Sequence, residues 1–200
     1  MKVQEFIESL QSEEISRERK QELNPLRREV QSRLGSGESA RLNFICTHNS
    51  RRSQLAQVWA HTFARHLGLS GITALSGGTE ATAVHPNTIK TLERSGFEVE
   101  KSGRDKNPVY LFRSEPNTHP IECFSKRYDD ACNKPGEKFI AVMTCARAAG
   151  DCPFIPDAEK RFTITYDDPG ISDGSDRENE TYDACNRKIA RELLYVLGSE

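Results

Sequence analysis

Apolar positions along this 200-residue chain follow a helical period at the N-terminus, then alternate between strand and helix periods from residue 41 on. In the first stretch Phe6, Ile7 and Leu10 share one face. Ile15, Leu23, Leu26, Val30 and Leu34 then recur at roughly helical spacing. Ser12 with Glu14 nearby, and later Asn24-Pro25, read as helix starts, with Pro25 at a first-turn position. Gly35-Ser36-Gly37 reads as a stop and a linker. Residues 1–37 are thus expected to be a two-helix extension packed on the main domain or on a second subunit, where it would make a homodimer. The alternative is a solvated arm of limited order, since weakly apolar helices are marginal alone.

The remaining residues, 38–200, are expected to form one domain. Residues 41–45 make a short apolar strand, and 53–67 an amphipathic helix that buries Leu55, Val58, Trp59, Phe63 and Leu67. Residues 72–76 read as a strand closed by Gly77-Gly78, and 86–94 as a helix with Pro86 in its first turn and Gly96 as its stop. Strands follow at 139–143 and 162–166, then a long helix over 178–197 carrying Ile189, Leu193, Leu194 and Val196. Such alternation predicts an α/β three-layer sandwich, a four-stranded parallel sheet flanked by helices. Between Gly96 and Lys138 the pattern blurs around Pro108, Pro116, Pro120 and Pro135. That stretch is too long for a plain connection, and it is assigned only to the rim of the site.

Composition narrows the function classes. Lys and Arg number 28 against 30 Asp and Glu, a net charge of -2, so there is no footprint for a phosphate backbone and nucleic acid is not an expected partner. The first residues carry no apolar leader core, and no later run approaches the ~20 apolar residues of a membrane span. A cytoplasmic location with no membrane partner follows as the expectation. In that reducing setting the six cysteines, at 46, 123, 132, 145, 152 and 185, are packing, metal ligands or redox chemistry rather than structural disulfides. Their spacings do not resemble the paired Cys-x2-Cys of zinc sites. His61, His66, His85 and His119 add no ligand pattern either, so no metal and no cofactor are expected.

The candidate chemistry lies where the first strand turns into the first domain helix, in Cys46-Thr47-His48-Asn49-Ser50-Arg51-Arg52-Ser53. A loop leaving a parallel strand and entering a helix aims free backbone N–H groups at one spot, where the helix dipole adds about half a positive charge. With Cys46 at its start and Arg52 six residues on, such a cup can hold a tetrahedral oxyanion against the sulfur. The same positive surroundings favour the reactive thiolate. Ser53 can donate to that sulfur, and Asn49 suits the left-handed backbone of a tight loop. The plain alternative is a buried strand-end cysteine beside surface arginines.

These residues resemble the low-molecular-weight tyrosine phosphatases and, within that fold, the thioredoxin-coupled arsenate reductases. The resemblance runs through residues 44–56, Leu75-Ser76-Gly77-Gly78, His85-Pro86, Val142-Met143-Thr144-Cys145, Cys152-Pro153 and Asp167-Asp168-Pro169. It implies that Thr47 to Ser53 bind the oxyanion, that Cys46 is the nucleophile and that Asp168 is the general acid. For a reductase it further implies a relay: Cys46 attacks arsenate, Cys145 attacks Cys46 and releases arsenite, and Cys152 attacks Cys145 to present a disulfide to thioredoxin. Phosphatases of the group follow Asp-Pro with tyrosines that wall a phenol cleft, where this chain has Gly170-Ile171-Ser172. Two other departures stand out: His48 where relatives usually carry Gly, and Arg51 where many carry Cys. Each adds positive charge near the anion or points to solvent. Reductases also place an acidic residue on the first helix to help hold a potassium ion, and here that position is the neutral Gln57. Arsenate reduction is the preferred function. A phosphomonoester or phosphotyrosine hydrolase using Cys46, Arg52 and Asp168 is the alternative, and a non-catalytic oxyanion or thiol-redox sensor is a third reading.

Overall fold

The computed structural model describes residues 2–103, 106–134, 136–151 and 154–198. The chain opens with α1 (Val3–Gln11) and α2 (Arg17–Gly35). Ser16 caps α2 by accepting from the Arg19 N–H at 3.2 Å, so the second helix starts there and not at Asn24-Pro25. Pro25 lies inside α2, where it withholds one backbone donor. The helix runs through it because Leu23, Leu26, Arg27 and Val30 are buried on either side. The apolar faces of both helices join the main core, and Phe6 stacks on Trp59 with ring centroids 4.9 Å apart. The extension is therefore packed on its own domain and is not a solvated arm.

The domain proper runs β1 (Ala40–Cys46), α3 (Arg52–His66), β2 (Ile72–Gly78) and α4 (Pro86–Arg94). Three short strands follow, β3 (Glu98–Ser102), β4 (Val109–Arg113) and β5 (Ile121–Cys123). Then come a 3-10 turn at Ala131–Asn133, β6 (Phe139–Met143), α5 (Ala146–Asp151), β7 (Ala158–Thr163), a 3-10 turn at Pro169–Ser172 and α6 (Glu178–Leu197). The main sheet has the order β2-β1-β6-β7 with every pairing parallel, as the alternation of periods predicts. No helix among the described residues is long and apolar enough to cross a membrane.

Two segments differ from the sequence reading. The last strand is β7 at Ala158–Thr163, not 162–166. It is an edge strand with Glu159 and Lys160 exposed, so it lacks the apolar run that marks a buried strand. Ile164 and Tyr166 are apolar because they turn inward just past it. The unassigned stretch from Gly96 holds a second, antiparallel sheet, β3-β4-β5. Its strands alternate between the core and water, with Phe112 and Ile121 inward and Glu98 and Glu100 outward. It does not form the rim; residues 124–128 pass behind the loop that follows β1.

Candidate active site

Strand β1 sits between β2 and β6, and the chain leaves it toward β2 on one side before returning on the other. The carboxyl end of such a strand opens onto a crevice, because the flanking connections diverge there. Cys46 is the last residue of β1, Cys145 lies two residues beyond the end of neighbouring β6, and Asp168 follows β7. Topology alone thus brings three candidates to one edge. They line one cavity of about 410 Å³ together with Thr47, His48, Ser50, Arg51 and Arg52.

The loop is held from outside by its carbonyls. Cys46 O accepts from Thr79 N–H at 3.1 Å and Thr47 O from Glu80 N–H at 2.9 Å. His48 O accepts from the Ser125 hydroxyl at 2.7 Å, Asn49 O from Gln54 Nε2 at 2.9 Å, and Ser50 O from His85 N–H at 3.0 Å. In a trans peptide the next N–H points opposite to the carbonyl. Five outward carbonyls therefore turn the N–H groups of residues 47–51 inward, toward the N-terminus of α3. The result is a cup of donors suited to a tetrahedral anion.

A side-chain brace fixes the sulfur. Asn49 has the left-handed φ of 47° expected for a tight loop. Its Oδ1 accepts from Gln54 Nε2 at 2.9 Å and from Lys126 N–H at 3.0 Å, which settles the amide orientation. Its Nδ2 donates to Ser53 Oγ at 2.8 Å, and Ser53 Oγ lies 3.0 Å from Cys46 Sγ. While accepting from Asn49, the Ser53 hydroxyl keeps its own proton to donate to the sulfur when Cys46 is a thiolate. Behind this brace Gln57 Oε1 accepts from the Ser76 hydroxyl, and the buried Lys126 Nζ lies 3.5 Å from the same hydroxyl and 3.3 Å from Phe124 O. Burial lowers the Lys126 ammonium from its ordinary range. A potassium ion does not fit these residues: the position is neutral at Gln57 and already faces an ammonium group.

The two arginines part company. Arg52 donates from Nη1 to Tyr166 O at 2.9 Å and from Nη2 to Asp168 Oδ2 at 2.6 Å. Its Nε is buried with no partner among the described residues, so one donor of the guanidinium is left unsatisfied. Arg51 turns aside to Tyr182 and Asp173, although it still lines the cavity wall. His48, half-exposed, places Nε2 3.5 Å from Glu80 Oε2. Cys145 is buried, with Sγ 3.6 Å from Thr47 Oγ1 and accepting from Ala148 N–H at 3.3 Å. Cys46 and Cys145 belong to one small apolar cluster. Cys152 lies outside the described residues.

The remaining cysteines have other surroundings. Burial pushes the thiols of Cys123 and Cys185 up to about 12, which leaves both poorly nucleophilic at neutral pH. Among the described residues no cluster of three metal-ligating side chains occurs. Several supporting groups escape sequence reading: Gln54, Ser125, Lys126, Asp173 and Tyr182. Only Gln54 adjoins the loop in sequence. The extension also reaches the site, since Arg19 pairs with buried Glu192 at 2.8 Å and donates to Thr165 O at 3.1 Å, beside the stem of the Asp168 segment.

Comparison with known proteins agrees with this geometry. A family model described as low molecular weight phosphotyrosine protein phosphatase matches residues 41–108. Arsenate reductase 1 of Bacillus cereus is 31% identical over 126 residues, 63% of this chain and 74% of that protein. The chain belongs to this family. The arsenate reductase of Bacillus licheniformis is 28% identical over 136 residues, covering 68% of this chain and 78% of the relative. The low molecular weight protein tyrosine phosphatase from T. tengcongensis shares the fold, with a TM-score of 0.51 at 18% identity over 80% of this chain and 97% of that one. A member of this family with these relatives is an enzyme, either an arsenate reductase or a related cysteine-dependent phosphatase.

Proposed function

We propose that the protein reduces arsenate to arsenite by a relay of Cys46, Cys145 and Cys152, with thioredoxin as the reductant. The placement of buried Cys145 at the wall of the cavity that holds Cys46 carries this reading. A hydrolase needs one thiol there; a second, capped by a backbone N–H, is what an exchange reaction requires.

In the first step the Cys46 thiolate attacks As(V) held by the cup and Arg52, and a hydroxide leaves as water with a proton from Asp168. The Cys145 thiolate then attacks Cys46 Sγ. The electron pair of the S–As bond stays on arsenic, which departs as arsenite, and a Cys46–Cys145 disulfide forms. Cys152 attacks Cys145 Sγ, frees Cys46 and leaves a Cys145–Cys152 disulfide for the thioredoxin dithiol. Ser53 supports Cys46 both as nucleophile and as the thiolate released in this exchange.

The absence of tyrosines at Gly170-Ile171-Ser172 favours a small free oxyanion over an aryl ester, because the residues that follow Asp168-Pro169 bring no aromatic ring to stack on a phenol. The test is arsenate-dependent oxidation of thioredoxin by wild type, Cys145→Ser and Cys152→Ser, alongside hydrolysis of an aryl phosphate. Wild type should oxidise thioredoxin and both variants should lose that activity by at least about 10³-fold. Arsenate turnover that survives both substitutions overturns the relay, and efficient aryl phosphate hydrolysis without arsenate turnover favours the phosphatase.

A further inference from the structure

Arg51 is unusual among the loop residues in that its guanidinium leaves the cup. Its Nε donates to Tyr182 Oη at 2.6 Å and its Nη2 to Asp173 Oδ2 at 2.6 Å. The Tyr182 hydroxyl donates in turn to Asp173 Oδ1 at 2.8 Å, which closes a three-membered ring of bonds. The guanidinium lies so close to the Gly170 backbone that a Cβ there would sit 2.9 Å from Arg51 Cζ. His85 completes the group, stacked on Tyr182 at 5.7 Å and with Nε2 3.5 Å from Asp173 Oδ2. Against the cost of partial burial, the Tyr182 hydroxyl and the Arg51 charge hold the Asp173 carboxyl below its ordinary range.

The consequence lies in what Asp173 terminates. Residues 168–173 form one short stiff segment: Asp168 Oδ1 accepts from Gly170 N–H at 3.0 Å, Ser172 Oγ donates to Pro169 O at 2.8 Å, and Asp173 N–H donates to Gly170 O at 3.2 Å. Its first carboxylate is bound by Arg52 and its last by Arg51. Two consecutive loop residues thus grip both ends of the segment that carries the acid, and Tyr182 ties the far grip to α6.

We propose that Arg51, Tyr182 and Asp173 are positioning residues that latch the 168–173 segment across the loop and so present Asp168 to the leaving oxygen. This rests on the reading of Asp168 as the proton donor, and the same latch serves arsenate or a phosphomonoester. An acid acts only within hydrogen-bond reach of the atom it protonates, so a segment fixed at one end alone loses part of that effect.

A double-mutant cycle separates the latch from general structural support. Tyr182→Phe removes one hydroxyl and keeps the ring, and Asp173→Asn removes the charge and keeps the shape. Each is made with Asp168 intact and with Asp168→Asn, and kcat is measured for arsenate reduction and for hydrolysis of an aryl phosphate. Asp168→Asn should lower kcat by about 10²-fold or more in the reaction the enzyme performs. Each latch substitution should lower it by about tenfold with Asp168 present and by less than about twofold with Asp168→Asn. Equal losses in both backgrounds, or no loss in either, overturn the latch. An unchanged kcat for Asp168→Asn overturns the acid assignment itself, and the latch falls with it. Should Tyr182→Phe not fold, Asp173→Asn at its half-exposed position decides the matter alone.

Discussion

The loop after β1 and the segment after β6 meet at one cavity, yet they are built in opposite ways. In the first, carbonyls from Cys46 to Ser50 are gripped by donors from residues 79–85, Gln54 and Ser125, and Asn49 makes four hydrogen bonds, to Gln54, Lys126 and Ser53. In the second, Cys145 opens α5, a helix of six residues made largely of Ala and Gly. Its anchors among the described residues include the buried Ala148, the Ala148 N–H on Cys145 Sγ and the Arg161 guanidinium on Ala149 O. A helix this short does not hold itself. The difference follows from the chemistry proposed for each. A cup that binds an anion gains by being organised beforehand, whereas a resolving thiol must approach first one sulfur and then another.

The comparison breaks first if the loop needs no brace, and Asn49→Ala asks this directly. The substitution strips the acceptor from the buried Lys126 N–H and the donor from Ser53, and it removes one of three acceptors around the buried Gln54 amide. Alanine also pays for the positive φ at this position. Together the losses amount to about 4 kcal/mol. Turnover should fall by about 10²-fold or more, and the melting temperature should drop clearly. A variant with near wild-type kcat and melting temperature would mean that the loop is shaped by its carbonyl contacts alone.

The support behind the loop is the next place to press. Gly77, at the end of β2, faces residue 128 so closely that an added Cβ would lie 2.2 Å from Tyr128 Cα. Backbone atoms cannot rotate away, so Gly77→Ala must part β2 from the segment that delivers Lys126 to Asn49. A cost of about 3 kcal/mol is expected from overpacking of this kind. Thermal denaturation measures it, and the KM for the oxyanion should rise as the brace shifts. Loss of stability with KM unchanged would show that the 124–128 segment supports the fold but not the cup.

How much of this was legible in the sequence follows from the range of the interactions. β1, the loop and α3 are contiguous, so apolar period, a strand-to-helix turn and the Cys46 to Arg52 spacing were enough to place them. The parallel sheet followed for the same reason. Pro25 was misread as a start because local propensity was overridden by burial of Leu23 and Leu26. The β3-β4-β5 sheet was missed because its strands are short, half-exposed and punctuated by prolines. The latch was out of reach because Arg51, His85, Asp173 and Tyr182 come from four separate segments. Arg51 was weighed as an anion contact or a solvent charge, and its actual partners lie more than a hundred residues away.

The smallest effect bears on the lightly held side. At Gly150 an added Cβ meets nothing within 4 Å, so alanine there fills open space and stiffens α5 by about 0.5–1 kcal/mol through helix propensity alone. If α5 must loosen for the Cys152 thiolate to reach Cys145, this gain opposes turnover. Gly150→Ala should then raise the melting temperature slightly while slowing disulfide transfer by up to about fivefold, the factor that 1 kcal/mol represents. Rapid-quench alkylation after a single arsenate turnover separates the Cys46–Cys145 species from the Cys145–Cys152 species. The first should accumulate in the variant. An unchanged transfer rate in a measurably stiffer protein would show that α5 keeps its turns during exchange, and that the contrast with the loop is one of packing and not of motion.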